Sequence, residues 1–502
     1  MGKITPASAG RGNLRQSAFG RDKRADDVKP AGPAAATRFY KRLKMFDNIF
    51  KAYDIRGIYP DELNEEIAWK IGHATAQFLQ MNLTGLDKAD RRKKMVIVGR
   101  DMRPSSQSLS KALIDGILAT GSNCIDIGLI DTPMIYFAIN HLGCCGGIQT
   151  TASHNPAQYN GFKVSGLLAR PIGVDTGLQE IKRIASALRK NPPVQMGQVE
   201  FHDLQAAYRT HVLKFLRLGR KLRVVVDASN GMAGKFIPEI FMGHPDLEII
   251  PLNMEITGRF VHEPNPLVDA NLRQLQEAVL SHAADLGVCF DGDADRCIFV
   301  DEQARVIRCD IVTALLARDF LKTNHGAAVV YDLRSSRVVR EEIQNAGGVP
   351  RRERVGHAFM KKALADSKGI FGGELSGHFY FRDNFNTDSG AIAFACLLSV
   401  LSRYDSPVSH VFKPLLRWHG SGEINYEVQD KDGTVRHLAE RYKDAAIDYL
   451  DGITVEYDTW WFNVRKSNTE PLLRLNLEAN TSETLKKKLD EVGHQLGSPV
   501  DH

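Results

Sequence analysis

The sequence is poor in cysteine, and none of its seven cysteines is spaced from another as in a C-x-x-C redox or zinc motif. Several lie in apolar segments, as buried thiols of a reducing compartment do. No apolar run is long enough to span a bilayer, and the longest, around residues 391–401, predicts a core helix. The amino terminus also lacks the apolar segment of a secretory signal. We therefore expect a cytoplasmic protein without a membrane partner.

The body of the chain lacks the positive charge of a nucleic-acid-binding protein. Residues 1–45 contain eleven Lys or Arg and three Asp, a net charge of +8, whereas the whole chain carries +5. Their Ala-, Gly-, Arg- and Pro-rich composition predicts a disordered basic tail. We favour a solvated extension, or an upstream start before a true initiator at Met45, over a transit peptide or an RNA-binding arm. For the folded body we expect a monomer without nucleic acid.

From Phe46 onward, short apolar runs alternate with helical spacing. Four runs end in a polar turn: MVIVGRD, LRVVVDAS, LGVCFDGD and AAVVYDLR. Their β-branched residues predict buried parallel strands, each followed by a crossover helix. Three of the runs resemble one another and recur at intervals of roughly a hundred residues or more, which indicates a repeated α/β unit. Ligands bind beyond the carboxyl ends of such strands, so we expect the chemistry in the turns that follow them.

The last part of the chain has a different pattern. A strand-like INYEVQD, a helix-like HLAERYKDAAIDYLDG, the strand-like ITVEYDTWWFNVR and LLRLNLEA, and a polar helix follow Pro414. This alternation predicts a small α+β domain. The expected fold class is therefore α/β, with three similar mixed-sheet domains and a C-terminal α+β domain. The expected boundaries are a tail at 1–45 and domains at 46–195, 196–302, 303–415 and 416–502.

The first motif that carries chemistry is T-T-A-S-H-N-P, in which Asn155 and Pro156 predict a turn. We expect Ser153 to be exposed on it, beside His154, in an arrangement that can support a nucleophilic or phosphorylated serine. An ordinary Ser/Thr turn is the alternative. A second turn presents Lys163, which could act as a general base if neighbouring cations lower its pKa, or could simply be a solvated lysine.

The second motif is D-G-D-A-D-R, directly after LGVCF. Asp291, Asp293 and Asp295 place hard oxygen ligands around one position, which suits Mg²⁺ where a phosphate supplies a further ligand. Arg296 adds a cation that can hold a phosphate. An EF-hand is excluded because Arg296 stands where that loop needs glycine, and a plain acidic turn is the remaining alternative.

Two further polar turns complete the set. Glycines bracket three groups suited to sugar hydroxyls: Glu374, Ser376 and His378. Near the end of the chain, cations, hydroxyls and an amide share a turn that could hold a phosphate: Arg465, Ser467, Asn468 and Thr469. A flexible polar loop and an ordinary hairpin are the respective alternatives.

With these four motifs the sequence resembles the α-D-phosphohexomutases, over about residues 46–500 and in the family's motif order. The resemblance implies four domains around a central active-site cleft. It implies that Ser153 carries a phosphoryl group and that Mg²⁺ is bound by this group and by Asp291, Asp293 and Asp295. Other residues implied to be catalytic are Arg56, His154, Lys163 and Arg296. Residues implied to bind substrate are Tyr53, His357, Glu374, Ser376, His378, Arg465, Ser467, Asn468 and Thr469.

The resemblance also implies the reaction. It is the interconversion of hexose 1-phosphate and hexose 6-phosphate through a phosphoserine and a 1,6-bisphosphate, with Mg²⁺ as cofactor and glucose 1,6-bisphosphate as activator. The Glu-x-Ser-Gly-His turn is similar to bacterial phosphomannomutase/phosphoglucomutases, which favours mannose and glucose phosphates. The alternatives are a phosphoglucosamine mutase, a Mg²⁺-dependent sugar phosphatase, and a non-enzymatic RNA-binding or scaffold protein. Arg334 stands where relatives often have lysine.

Overall fold

The computed structural model describes residues 46–188, 196–467 and 472–500, all within one compact unit, Met45–His502. The expected basic tail at residues 1–45 lies outside them. All seven cysteines are buried and unpaired, as expected. Among the described residues, none of the helices has the length and apolar character needed to cross a membrane.

The first domain is built on a mixed sheet. Its strands are β1 (Ile55–Ile58), β2 (Val96–Arg100), β3 (Cys124–Leu129), β4 (Gly146–Thr150), β5 (Tyr159–Ser165) and β6 (Val199–Phe201). Its helices are α1 (Glu65–Met81), α2 (Gly85–Ala89), α3 (Ser106–Leu118), α4 (Thr132–Leu142) and α5 (Leu178–Ala187). The strand order is β1-β5-β4-β2-β3-β6. Because β6 pairs in parallel with β3, this sheet extends past the boundary expected at residue 195.

The second and third domains repeat this plan. The second has β7 (Leu222–Asp227), β8 (Leu247–Leu252), β9 (Leu286–Phe290), β10 (Cys297–Asp301), β11 (Val306–Ile307), α6 (Gln205–Leu213), α7 (Ala233–Phe241) and α8 (Arg273–Ser281). The third has β12 (Ala328–Asp332), β13 (Val349–Glu353), β14 (Phe371–Gly373), β15 (Phe379–Phe381), β16 (Thr387–Asp388), α9 (Cys309–Leu321), α10 (Arg337–Asn345), α11 (His357–Asp366), α12 (Gly390–Leu401) and α13 (Val408–Phe412). The apolar run around 391–401 lies in α12 and is almost wholly buried, as expected.

The three similar runs of the sequence are equivalent strands. Each of β2, β7 and β12 has a parallel strand on both sides, and each is next to a strand that continues into an antiparallel hairpin. Those hairpins are β4–β5, β9–β10 and β14–β15. The expectation of a helix after every run is wrong for LGVCF, because β9 turns directly into β10. The repeated unit therefore places one hairpin loop per domain at the same topological position.

Local sequence signals define both ends of α4, the helix that precedes β4 and its hairpin loop. The Asp131 side chain accepts a hydrogen bond from the Met134 amide at 2.9 Å, which caps the start of α4. Gly143 ends the helix in the left-handed region, at φ 69°. The capped end brings the Thr132 amide within 3.0 Å of the Asp293 carbonyl oxygen, so this helix joins the first domain to the second.

The fourth domain is an antiparallel sheet with two helices. Its elements are β17 (His419–Glu427), β18 (Ala446–Asp448), β19 (Ile453–Glu456), β20 (Trp460–Lys466), β21 (Leu472–Ala479), β22 (Pro499–Val500), α14 (Lys431–Arg441) and α15 (Ser482–Leu496). The α+β expectation is confirmed, but the helix-like pattern through residue 452 is wrong in its second half. Residues 446–448 form an edge strand because they pair with β19, a tertiary contact that overrides local helix preference.

Candidate active site

The three equivalent hairpin loops meet one another. The β4–β5 loop carries Ser153, the β9–β10 loop carries the three aspartates, and the β14–β15 loop carries Glu374, Ser376 and His378. Arg296 and His378 form an isolated bridge between the second and third loops. Residues more than a hundred positions apart therefore share one site.

Ser153 is buried at the centre of this site. Its hydroxyl donates a hydrogen bond of 2.8 Å to Asp291 Oδ2, and its backbone lies in the left-handed region at φ 49°. The expected exposure of this serine is wrong, since only 1 % of its surface is accessible. The β9–β10 loop, called the metal loop below after its three aspartates, covers it, and a Cβ built on Gly292 would lie 2.5 Å from the Ser153 carbonyl oxygen. A glycine is therefore required where the two loops touch.

The aspartates form a compact group of oxygen ligands. Ligand atoms of Asp291, Asp293 and Asp295 lie within 4.8 Å of one another, and all three side chains are almost fully buried. Burial and the two neighbouring carboxylates raise the pKa of Asp291, whereas Lys163 and His378 outweigh burial and lower the pKa of Asp295. Among the described residues, Asp293 Oδ1 is buried and accepts no hydrogen bond. This hard, partly unsatisfied donor set fits a divalent cation such as Mg²⁺.

Lys163 lies against the same aspartates. Its ammonium group is 2.7 Å from Asp293 Oδ2 and 2.6 Å from Asp295 Oδ2. Burial opposes its charge, but these carboxylates together with Asp291 outweigh burial and raise its pKa. The condition set for a general base, a pKa of Lys163 lowered by neighbouring cations, is not met in this arrangement, because its nearest charged groups are anions. Its role as a general base stays a prediction.

The other expected catalytic residues surround the serine. Arg56 donates hydrogen bonds to Asn155 of the serine loop and to Asp54. Burial, together with Arg296 and Arg56, holds the pKa of His154 well below its ordinary value. The Arg296 amide donates to Asp291 Oδ1 at 3.1 Å, and its side chain lies 3.4 Å from His378 Nε2.

The residues expected to bind sugar lie on the third-domain side of the site. Ser376 Oγ lies 2.9 Å from His378 Nδ1. His378 Nε2 lies 3.3 Å from Asp295 Oδ1, so the β14–β15 loop, called the sugar turn below, contacts the metal loop. Glu374 accepts from the Gly356 amide at 2.9 Å and from the Tyr380 hydroxyl. The expected substrate residues Tyr53 and His357 are in an edge-on ring contact, with ring centroids 5.5 Å apart.

The expected phosphate cradle lies in the fourth domain. Arg465 is buried at the end of β20 and donates to Glu423 Oε2 at 2.7 Å. Ser467 follows it, whereas Asn468 and Thr469 lie outside the described residues. Among the described residues, Arg465 forms its ion pair with Glu423 of its own domain. Its link to the third domain runs through Glu423, which also lies 3.7 Å from Arg334.

Two residues of the site escaped the sequence analysis. Arg103 binds the backbone of the Ser153 loop. It lies in the turn after β2, and the sequence predicts functional residues in the turns that follow such strands. Glu423 lies among Arg465, Arg474 and Arg334, and these cations outweigh burial and lower its pKa. No local pattern marks Glu423, because its partners come from distant strands.

Comparison with known proteins matches every domain. Family models described as phosphoglucomutase/phosphomannomutase alpha/beta/alpha domains I, II and III and the C-terminal domain match residues 47–192, 206–304, 308–417 and 423–494. A phosphomannomutase of Escherichia coli K12 is 37% identical over 86% of this chain and 94% of its own length. The phosphohexose mutases of Xanthomonas campestris strain B100 are 37% identical over 89% and 98%. The crystal structure of a phosphoglucomutase/phosphomannomutase family protein from Burkholderia thailandensis has 31% identity and a TM-score of 0.80, covering 89% of this chain and 96% of that one.

Proposed function

Because the chain belongs to the phosphoglucomutase/phosphomannomutase family, we propose that it interconverts the 1- and 6-phosphates of mannose and glucose through a phosphorylated Ser153. The resemblance to the α-D-phosphohexomutases is confirmed, and with it an intramolecular phosphotransferase that acts on hexose phosphates. The preferred sugar, the 1,6-bisphosphate intermediate and the residue roles are our proposal.

One observation carries this proposal. The Ser153 hydroxyl is buried and bonded to Asp291 at 2.8 Å, and cationic side chains from two domains, Arg56 and Arg296, act on the neighbouring His154. A serine in this environment can accept a phosphoryl group while water is kept away, which favours transfer to a sugar over hydrolysis. The sugar turn on the opposite side, with His378 3.3 Å from Asp295, supports a hexose as the acceptor.

Each side chain of the site has a proposed role in phosphoryl transfer. The bond from phosphorus to Ser153 Oγ breaks as the sugar hydroxyl forms a new bond to phosphorus. Lys163 takes the proton of the sugar hydroxyl, and this proton is returned to the leaving Ser153 Oγ, which becomes a hydroxyl again. Arg296 and Arg56 stabilise the charge that spreads over the phosphoryl oxygens. Mg²⁺ bound by Asp291, Asp293 and Asp295 would neutralise further phosphoryl charge and would take up the carboxylate charge that keeps Lys163 protonated. After the bisphosphate turns over, the reverse transfer restores phospho-Ser153.

A side-by-side isomerisation assay tests the function. Purified protein with Mg²⁺ and a trace of glucose 1,6-bisphosphate should convert mannose 1-phosphate and glucose 1-phosphate at comparable rates, and glucosamine 1-phosphate slowly. The reason is the Glu374-Leu375-Ser376 turn, which is similar to that of dual-specificity enzymes. Fast glucosamine turnover would make the protein a phosphoglucosamine mutase. Release of inorganic phosphate without isomerisation would instead make it a phosphatase.

Arg465→Lys should weaken substrate binding more than catalysis. Lysine keeps the charge but loses the planar fork that we propose holds the non-reacting phosphate. Losing one charge-assisted hydrogen bond costs about 1.5 kcal/mol, which corresponds to about a tenfold rise in KM. Steady-state kinetics on glucose 1-phosphate measure the change in KM and in kcat.

Arg352→Lys is the matched control for this change. Arg352 also forms an ion pair with the fourth domain, through Glu456 and Asp448, but it belongs to no proposed binding group. We expect its KM to stay near the wild-type value. Equal KM values for Arg465→Lys and the control would remove Arg465 from the phosphate cradle.

A further inference from the structure

Arg103 has the geometry of a clamp on the serine loop. Its guanidinium group donates to four carbonyl oxygens of one loop, those of Ser153 at 2.8 Å, Asn155 at 2.6 Å, Pro156 at 2.7 Å and Tyr159 at 3.0 Å. The remaining donor, Nε, lies 3.2 Å from Asp101 Oδ2. The side chain is fully buried. Every N–H of the guanidinium group is thus used, and four of the five hold the loop.

The clamp explains why Ser153 keeps an unfavourable backbone conformation. A non-glycine residue at φ 49° is disfavoured and persists only where its surroundings hold it there. Arg103 holds the Ser153 carbonyl oxygen, while Asp291 accepts from the hydroxyl of the same residue. The carbonyl is therefore turned towards a cation, and the side chain is directed to the aspartates. This orientation removes a negative carbonyl dipole from the place where phosphoryl oxygens would gather.

A segment of the second domain packs over Arg103. The Phe260 ring lies over the Arg103 guanidinium group, with 5.3 Å to the ring centroid. Gly258, at φ 74°, packs so closely on the residues beside Arg103 that an added Cβ would lie 2.6 Å from Pro104 Cδ. The contact excludes water from the clamp, which strengthens its charge-assisted hydrogen bonds.

The same support recurs in all three repeated domains. In each, an aspartate at the end of the central strand or directly after it accepts from the amide two residues later: Asp101 from Arg103, Asp227 from Ser229 and Asp332 from Arg334. In each, this turn also contacts the neighbouring hairpin, in its loop or at the strand end that leads into the loop. Ser229 Oγ donates to the Phe290 carbonyl oxygen at 2.6 Å, and Asp332 Oδ2 accepts from the Leu375 amide at 2.8 Å. Arg103 is the first-domain member of a repeated device that supports the loops of the site.

We propose that Arg103 is a positioning residue that holds the Ser153 loop in the geometry needed for phosphoryl transfer, an inference that rests on the proposed function. Its side chain binds backbone carbonyl oxygens of the serine loop and Asp101, so its loss should act on turnover and on loading of Ser153. It should leave substrate binding nearly unchanged.

Arg103→Lys tests this role. Lysine keeps the buried charge but cannot bind four carbonyl oxygens, and a displacement of about 1 Å in a reacting group costs about 100-fold in rate. We expect kcat for glucose 1-phosphate to fall at least about 100-fold while KM changes less than about twofold. The rate at which glucose 1,6-bisphosphate phosphorylates Ser153, followed by intact mass, should fall in parallel.

Arg337→Lys is the matched control. Arg337 also donates to two backbone carbonyl oxygens, those of Tyr457 and Asp458, but far from the serine loop. Both variants should have a lower Tm than the wild type. Only Arg103→Lys should also have a lower kcat and slower phosphorylation of Ser153. Equal kcat in the two variants would overturn the inference. If Arg103→Lys does not fold, Asp101→Asn, which weakens the hold on Arg103 Nε, should lower kcat about tenfold, and an unchanged kcat would overturn the inference instead.

The wild-type protein separates this inference from the proposed function. A wild type that neither isomerises hexose phosphates nor takes up a phosphoryl group on Ser153 would overturn both. An active, phosphorylated wild type with a fully active Arg103→Lys variant would overturn the clamp alone.

Discussion

Ser153→Ala should abolish mutase activity, with kcat more than about 10⁴-fold below the wild type, because the phosphoryl carrier is removed and no neighbouring group replaces it. The variant loses one hydrogen bond, to Asp291, so the fold should survive with a small loss of stability. Isomerisation of glucose 1-phosphate measures the activity, and intact mass after incubation with glucose 1,6-bisphosphate measures phosphorylation. We expect a phosphoryl mass on the wild type and none on the variant.

Ser409→Ala is a close control for this experiment. Ser409 is buried, and its hydroxyl donates a hydrogen bond to a carboxylate, Glu302 Oε1, at 2.5 Å, outside the hairpin loops of the site. It should lose a similar amount of stability and keep most of its mutase activity. Near-normal turnover in Ser153→Ala would show that another residue carries the phosphoryl group.

Asp293→Asn should lower kcat by about 100-fold or more, because it removes a negative charge from the proposed Mg²⁺ site and weakens charge neutralisation in the transition state. The concentration of Mg²⁺ that gives half-maximal activity should rise at least about tenfold. A Mg²⁺ titration of glucose 1-phosphate isomerisation measures both effects.

Asp301→Asn controls for the loss of a buried carboxylate in the same domain. Asp301 is 4% exposed and pairs with Arg305 at 2.8 Å, away from the metal loop. It should reduce Tm while leaving the Mg²⁺ requirement unchanged. An Asp293→Asn variant with the wild-type Mg²⁺ dependence would remove Asp293 from the metal site.

The local pattern of the sequence was sufficient for the frame of the fold. Apolar runs predicted β2, β7, β9 and β12, and the similarity of three of them indicated the repeated unit that the three mixed sheets confirm. The helix expected after β9 is absent because Asp291 and the residues after it turn straight into β10. Strand 446–448 was missed because it pairs with β19 on the edge of a sheet, a contact that local spacing does not encode.

The sequence by itself determined which residues have chemistry to offer: Ser153, the three aspartates, and the sugar and phosphate turns. Only the tertiary structure decided their state. It buried Ser153 under the metal loop, surrounded Lys163 with carboxylates, and revealed Arg103 and Glu423 as partners of the site. Exposure and pKa depend on groups that lie close in space, and here those groups are supplied by equivalent hairpins of different domains. Residue types and turns are local properties that spacing reveals, whereas the Ser153–Asp291 contact joins residues 138 positions apart and forms only when the domains pack.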